Sequence, residues 1–175
     1  EAARVYVAPA LLLINGVASF LFATFAAQRD RASRELLRRA DLAALALSVT
    51  AMVLGLAAVV LLPWAGSFVT AEAFELDRIA VVGWVVYAAS TALLTPYGGL
   101  AAVSGAHRQV FALRLTESAV SLGVVAVLLF PLGLAASWVP VALSPGTLVA
   151  GLIIRRYLSV RASHVAAPGG DHTDP

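Results

Sequence analysis

The sequence predicts an all-α fold, a polytopic membrane helix bundle of about five transmembrane helices with its N-terminus outside and its C-terminus in the cytoplasm. Three observations lead there. Hydrophobic residues make up 61% of the 175-residue chain and charged residues only 13%, with a mean hydropathy of +0.90, whereas ordinary globular chains are about 45–50% apolar and about 25% charged. The apolar residues gather into stretches of about 20, the length a helix needs to cross the hydrocarbon core. Alternating the connections across a bilayer then sorts the arginines strongly to one side.

The first stretch, 5–27, is interrupted only by Asn15 and small hydroxyl residues. It is too long for a signal-peptide core and has no small-residue cleavage pattern after it. With Glu1-Ala2-Ala3-Arg4 in front and no initiator methionine, the chain reads as a fragment of a longer protein. Residues 28–41 follow, with Arg29, Arg31, Arg34, Arg38 and Arg39 around Leu36 and Leu37. This pattern predicts a short interfacial basic helix, supported by Asp30/Arg34 and Arg31/Glu35 at i,i+4.

A second span is expected over 42–62, stopped at Pro63 with Trp64 at the headgroup level. The third, 79–100, contains Gly83, Pro96, Gly98 and Gly99, which membrane helices tolerate when neighbours satisfy the freed backbone groups; a bend is expected near Pro96. The fourth, 110–130, carries Arg114 and Glu117, and the fifth, 132–154, holds Pro140, Pro145 and Gly146. Pro131-Leu132-Gly133 should close a tight hairpin between them. Residues 161–175, ending Gly-Gly-Asp-His-Thr-Asp-Pro, read as a disordered cytoplasmic tail. Tyr6, Trp64, Trp138 and Tyr157 fall near span ends, as an aromatic belt would.

All 12 basic residues are arginines. One side collects Arg29, Arg31, Arg34, Arg38, Arg39, Arg108, Arg114, Arg155, Arg156 and Arg161, and the other holds Arg4 and Arg78. Positive charge near helix ends stays cytoplasmic, which sets the orientation. The same sorting accounts for the sequence pI of about 9.5 without nucleic acid.

Several chemistries lack a carrier. Cysteine and lysine are absent, which excludes disulfides, thiolate chemistry, a phosphate-loop lysine and a Schiff base. His107, His164 and His172 have no partner at metal-ligand spacing, and no nucleophile elbow or dinucleotide fingerprint is present. Neither an enzyme activity nor a cofactor nor a metal is expected.

The candidate substrate pathway consists of Arg114, Glu117, Asn15, Tyr87 and Thr91. Arg114 and Glu117 are expensive to place in a bilayer, at about 2.5–3.5 kcal/mol per charge near its centre, so they are expected at a bundle interior or wet cavity, or else as an interfacial pair with Arg114 snorkelling. Tyr87, Thr91 and Thr95 recur every four residues and share a helix face, as Asn15 and Ser19 do. Such stripes line cavities or simply join helices. Ala119 and Gly123 at i,i+4 would permit close helix approach.

Taken in order, several local patterns resemble the C-terminal half of a polysaccharide or O-antigen flippase, of the multidrug/oligosaccharidyl-lipid/polysaccharide exporter superfamily, over about residues 3–157. Ala8-Pro9 leading and Ala26-Ala27-Gln28-Arg29-Asp30 trailing the first span are similar to the second helix of a half in that family. Leu62-Pro63-Trp64-Ala65-Gly66 resembles the outer end of the third helix, with Phe68-Val69-Thr70 replacing the usual Leu-Phe-Gly-like stretch. Tyr97-Gly98-Gly99-Leu100-Ala101-Ala102-Val103-Ser104-Gly105-Ala106-His107-Arg108 is similar to the turn between the fourth and fifth helices. Phe130-Pro131-Leu132-Gly133-Leu134-Ala135-Ala136 resembles the hairpin before the sixth, departing from it at Ala135-Ala136 and in the prolines at 140 and 145.

The resemblance implies a transporter of lipid-linked oligosaccharide or polysaccharide precursor in the cytoplasmic membrane. Two six-helix bundles would rock around a cationic cavity, with the N-terminal half and the first helix of this half missing here. Arginine suits that task, because guanidinium binds phosphate oxygens bidentately, and Arg114 is the one arginine well inside a predicted span. Two other readings stay open: a multidrug/cation antiporter of the same superfamily, which would need buried carboxylates such as Glu117, and a stand-alone polytopic membrane subunit.

Overall fold

Helix boundaries follow from local chemistry. The computed structural model describes residues 2–29, 33–70 and 77–165, and among these the order is α1 (Ala2–Ala27), α2 (Ser33–Thr70), α3 (Arg78–Val103), α4 (His107–Leu129), a 3₁₀ turn (Ala136–Trp138) and α5 (Val139–Val165). There is no strand among them, and five helices are long and apolar enough to cross a membrane. Asp77 starts α3, its carboxylate accepting from the Ile79 N–H at 2.8 Å, which satisfies one of the first orphan donors. Gly105, at φ 78°, ends it: Ala106 N–H donates to Ala101 O at 3.0 Å and Gly105 N–H to Ala102 O at 3.1 Å, the paired bonds of a left-handed C-terminal cap.

Four boundaries differ from expectation. The basic stretch forms no separate interfacial helix: residues 33–41 are the opening turns of α2, because no glycine or proline breaks the chain at Asp41-Leu42. Residues 30–32 lie outside the described set. Pro63 does not stop α2, which runs on to Thr70; proline removes one N–H and crowds one carbonyl, costs that a long helix absorbs. The hairpin after α4 is longer than expected. Leu134 N–H donates to Leu128 O at 3.0 Å around Gly133 at φ 58°, and the chain then runs through the 3₁₀ turn before α5 begins at Val139. Pro140, in the first turn of α5, needs no N–H partner. Finally, 161–165 are not tail but the last turn of α5; residues 166–175 lie outside the described set.

The third helix is the hub. α1, α2 and α5 all pack on α3, whereas α4 rests chiefly on α5. Three buried clusters stack along the bundle: Ala3, Val7, Ala10, Val81 and Val85 at one end, Ile14, Leu47, Ala51, Ala88 and Ala92 in the middle, and a larger group containing Phe25, Ala40, Ala44, Leu94, Ile154 and Leu158 at the other. Alanines recur at the contacts because lipid tails are as apolar as leucine, leaving close packing rather than water exclusion to drive association. The Ala119/Gly123 pair does not serve this purpose within the chain: both are exposed, and Ser121 alone is buried among the described residues of α4.

Antiparallel packing brings the end of α1, the start of α2, the end of α3, the start of α4 and the end of α5 to one end of the bundle, as their shared cluster shows. Arg29, Arg34, Arg38, Arg39, Arg108, Arg114, Arg155, Arg156 and Arg161 therefore gather towards that end, while Arg4 and Arg78 belong to the other.

Candidate functional site

The arginine-rich end contains an interhelical lock that joins three helices. Asp41 of α2 receives two hydrogen bonds from Arg155 of α5, from Nε to Oδ1 at 2.7 Å and from Nη2 to Oδ2 at 3.1 Å. The Tyr97 hydroxyl of α3 donates to the same Oδ1 at 2.7 Å. The forked geometry uses guanidinium planarity in a way an ammonium would not. Tyr97 is only 4% exposed, whereas the side chains of Arg155 and Asp41 are 50% and 34% exposed, so the carboxylate sits between a dry hydroxyl and a wet cation.

The other carboxylates described at this end are also held by arginine. Arg39 donates to Glu35 Oε1 at 2.7 Å and to Gln28 Oε1 at 2.7 Å, tying the turn after α1 to α2. Arg114 Nη1 donates to Glu117 Oε2 at 3.1 Å. Guanidinium groups outnumber carboxylates among the described residues here, which leaves the end strongly cationic.

Of the five residues expected to form a substrate pathway, the structure pairs Arg114 with Glu117 and places Asn15 on α1 and Tyr87 and Thr91 one turn apart on α3. Glu117 has 12% of its side chain exposed against 46% for Arg114, and it lies over α5: a Cβ built on Gly146 would stand 3.7 Å from Glu117 Cγ and 2.6 Å from Ser121 Oγ. Glycine at 146 therefore lets α4 approach. Glu117 lines a largely apolar α4/α5 groove of about 180 Å³ that also includes Thr116, Ser121 and Val149. Asn15 is exposed, and its carbonyl accepts from Ser19 Oγ at 3.2 Å. Tyr87 stacks edge-on against Trp84, with ring centroids 5.5 Å apart, and Trp84 in turn carries the Arg4 guanidinium 5.8 Å above its ring. Thr91 Oγ1 is buried with no hydrogen-bond partner among the described residues, while Thr95 Oγ1 donates to Thr91 O at 2.7 Å. The Thr95 hydroxyl proton of the expected stripe is thus engaged with its own helix.

Sequence reasoning missed Asp41, Tyr97 and Arg155. The available signal was Asp41 at the edge of the second span, an acidic residue on the same predicted side as Arg155, with Tyr97 at a span end on that side too.

Close to the lock, a cleft of about 200 Å³ opens between the turn after α1 and the ends of α2, α3 and α5. Arg29, Ser33, Ser104 and Arg161 supply its polar lining, and Leu36, Leu100 and Leu158 are among its apolar walls. Ser104 Oγ donates to Leu100 O at 2.8 Å, so its hydroxyl proton is already engaged. Among the described residues no group of three or more His, Asp or Glu is placed to hold a metal ion. The arrangement is suited to attracting and holding anions at one end of an apolar bundle; no nucleophile and base are paired among its described residues. Comparison with protein-family models, with curated proteins and with solved structures finds no match.

Proposed function

We propose that the chain works in transport, as one bundle of an alternating-access flippase that moves a lipid-linked oligosaccharide or polysaccharide precursor across the cytoplasmic membrane. The observation that carries this reading is the gathering of guanidinium groups at one bundle end, where Glu35, Asp41 and Glu117 are each held by an arginine. Such an end attracts an anionic substrate headgroup, and guanidinium binds phosphate oxygens bidentately. The positive-inside tendency assigns this end to the cytoplasm, where a lipid-linked precursor would be loaded. The antiporter reading draws on Glu117, the most enclosed of the three carboxylates; its pairing with Arg114 favours a fixed ion pair over a proton-binding acid.

Two experiments test the proposal. The chain has no native cysteine, so the exposed residues Arg34, Arg156 and Arg78 can each be replaced by a single cysteine and probed in intact cells with a membrane-impermeant maleimide. The Arg78→Cys variant should label from outside, while Arg34→Cys and Arg156→Cys should label only after permeabilisation; labelling of the last two from opposite sides would refute the topology. In cells whose surface polysaccharide depends on the protein, Arg114→Ala should lower export about tenfold, as expected for the loss of one charge-assisted bond, and Arg114→Lys should lower it less. Undiminished export in both variants would remove Arg114 from the pathway.

A further inference from the structure

We infer that the cleft lined by Arg29, Ser33, Ser104 and Arg161 holds the phosphate of an anionic phospholipid, seated as a bound lipid and not as transported cargo. Two arginines from segments far apart in sequence line one cleft of about 200 Å³, and no carboxylate among the described residues lines it. Arg161 has no hydrogen bond or ion pair among the described residues, so its charge is open to an outside ligand. Ser33 is the first residue of α2, where backbone N–H groups lack intrahelical acceptors and a phosphate oxygen can take them.

The size and the walls narrow the ligand further. A space of this volume admits a phosphate headgroup but is small for an oligosaccharide, since pockets that enclose drug-sized ligands run to about 300–1,000 Å³. Leu36, Leu100 and Leu158 give the cleft an apolar side on which the start of an acyl chain can lie. The cleft also sits at a bundle end, the depth at which phospholipid headgroups are found. A soluble phosphate would satisfy the arginines equally well but leave the leucines without a ligand.

The test is native mass spectrometry of the full chain released from detergent micelles, with dioctanoyl phosphatidylglycerol, dioctanoyl phosphatidylcholine and inorganic phosphate as separate probes. Wild type should retain phosphatidylglycerol and release phosphatidylcholine. Arg161→Ala should weaken retention about tenfold, whereas Arg156→Ala, an exposed arginine outside the cleft, should leave it unchanged. Ser33→Glu should also weaken it about tenfold while keeping the melting temperature, because a carboxylate suits a helix N-terminus but repels an anion. Retention equal in wild type, Arg161→Ala and Ser33→Glu would overturn the inference, as would equal losses in Arg161→Ala and Arg156→Ala or equal retention of the two lipids. Displacement of the lipid by inorganic phosphate at equal concentration would assign the cleft to a soluble anion instead. Binding is read without transport, so export can fail while the site holds, and the reverse.

Discussion

Removing Asp41 should cost more than removing Arg155, although both belong to one ion pair. Asp41→Ala deletes the acceptor of three hydrogen bonds. Arg155, half exposed, recovers water when its partner goes, so its share of the loss is that of a surface pair, about 0.5–1 kcal/mol. Tyr97, 4% exposed, does not recover water: its hydroxyl becomes a buried orphan donor, at about 1–3 kcal/mol. Asp41→Ala should therefore destabilise the bundle by about 2–3 kcal/mol and Arg155→Ala by about 1 kcal/mol. Adding Tyr97→Phe to Asp41→Ala removes the orphan and should return about 1 kcal/mol or more. The assay is unfolding of the purified chain in mild detergent, followed by circular dichroism as a denaturing detergent is titrated in, with the variants combined in double-mutant cycles. A loss in Arg155→Ala equal to or greater than that in Asp41→Ala would refute the reasoning, and so would a Tyr97→Phe change that worsens the Asp41→Ala variant.

Three further outcomes can be measured in the same unfolding assay. A Cβ on Gly55 would run into the Val85 side chain, so Gly55→Ala should destabilise by about 1–3 kcal/mol; pairing it with Val85→Ala should make the double variant more stable than the sum of the singles, and strict additivity would count against the contact. Thr91→Val removes a buried hydroxyl that has no partner among the described residues and should be neutral or stabilising by up to about 1 kcal/mol, whereas a loss above that would reveal a hidden partner. Gly133 at φ 58° should tolerate Asn better than Val, with Gly133→Val costing about 1–2 kcal/mol; equal effects of the two would show that the hairpin is not held in the left-handed region.

The number of long apolar helices and the gathering of arginines at one end were legible in the sequence, because both depend on what each stretch is made of and in which order the stretches come. Helix ends were less legible. Pro63 looks like a stop yet sits inside α2, and the cap that begins α3 depends on a single side chain, Asp77. Least legible was which way each helix faces. A soluble helix reveals its buried side through the period of its apolar residues, but here lipid and protein contact surfaces are equally apolar, and the pattern loses contrast. Leu12, Val53 and Leu122 are exposed while Ala40, Ala88 and Ala92 are buried. That loss of contrast is why Ala119/Gly123 was as plausible a contact as Ala88/Ala92, and why the Asp41–Arg155 bridge, spanning 114 residues, was not found. Arg114 and Glu117 were found because charges three positions apart on a helix reach one another whatever the helix faces.

The central place of α3 bears on how the protein is made. Its neighbours α1 and α2 leave the ribosome before it, but α5, which covers much of its remaining surface, leaves after both α3 and α4. Until then α3 has one side bare, and Asp41 and Tyr97 wait for a guanidinium that has not been synthesised. The fourth helix, touching little besides α5, must enter the bilayer as an outrigger and be drawn in afterwards. Closure of the bundle thus waits for α5, and a chain cut before Val139 would retain most of its greasy segments yet lack the arginine that bridges α5 to α2.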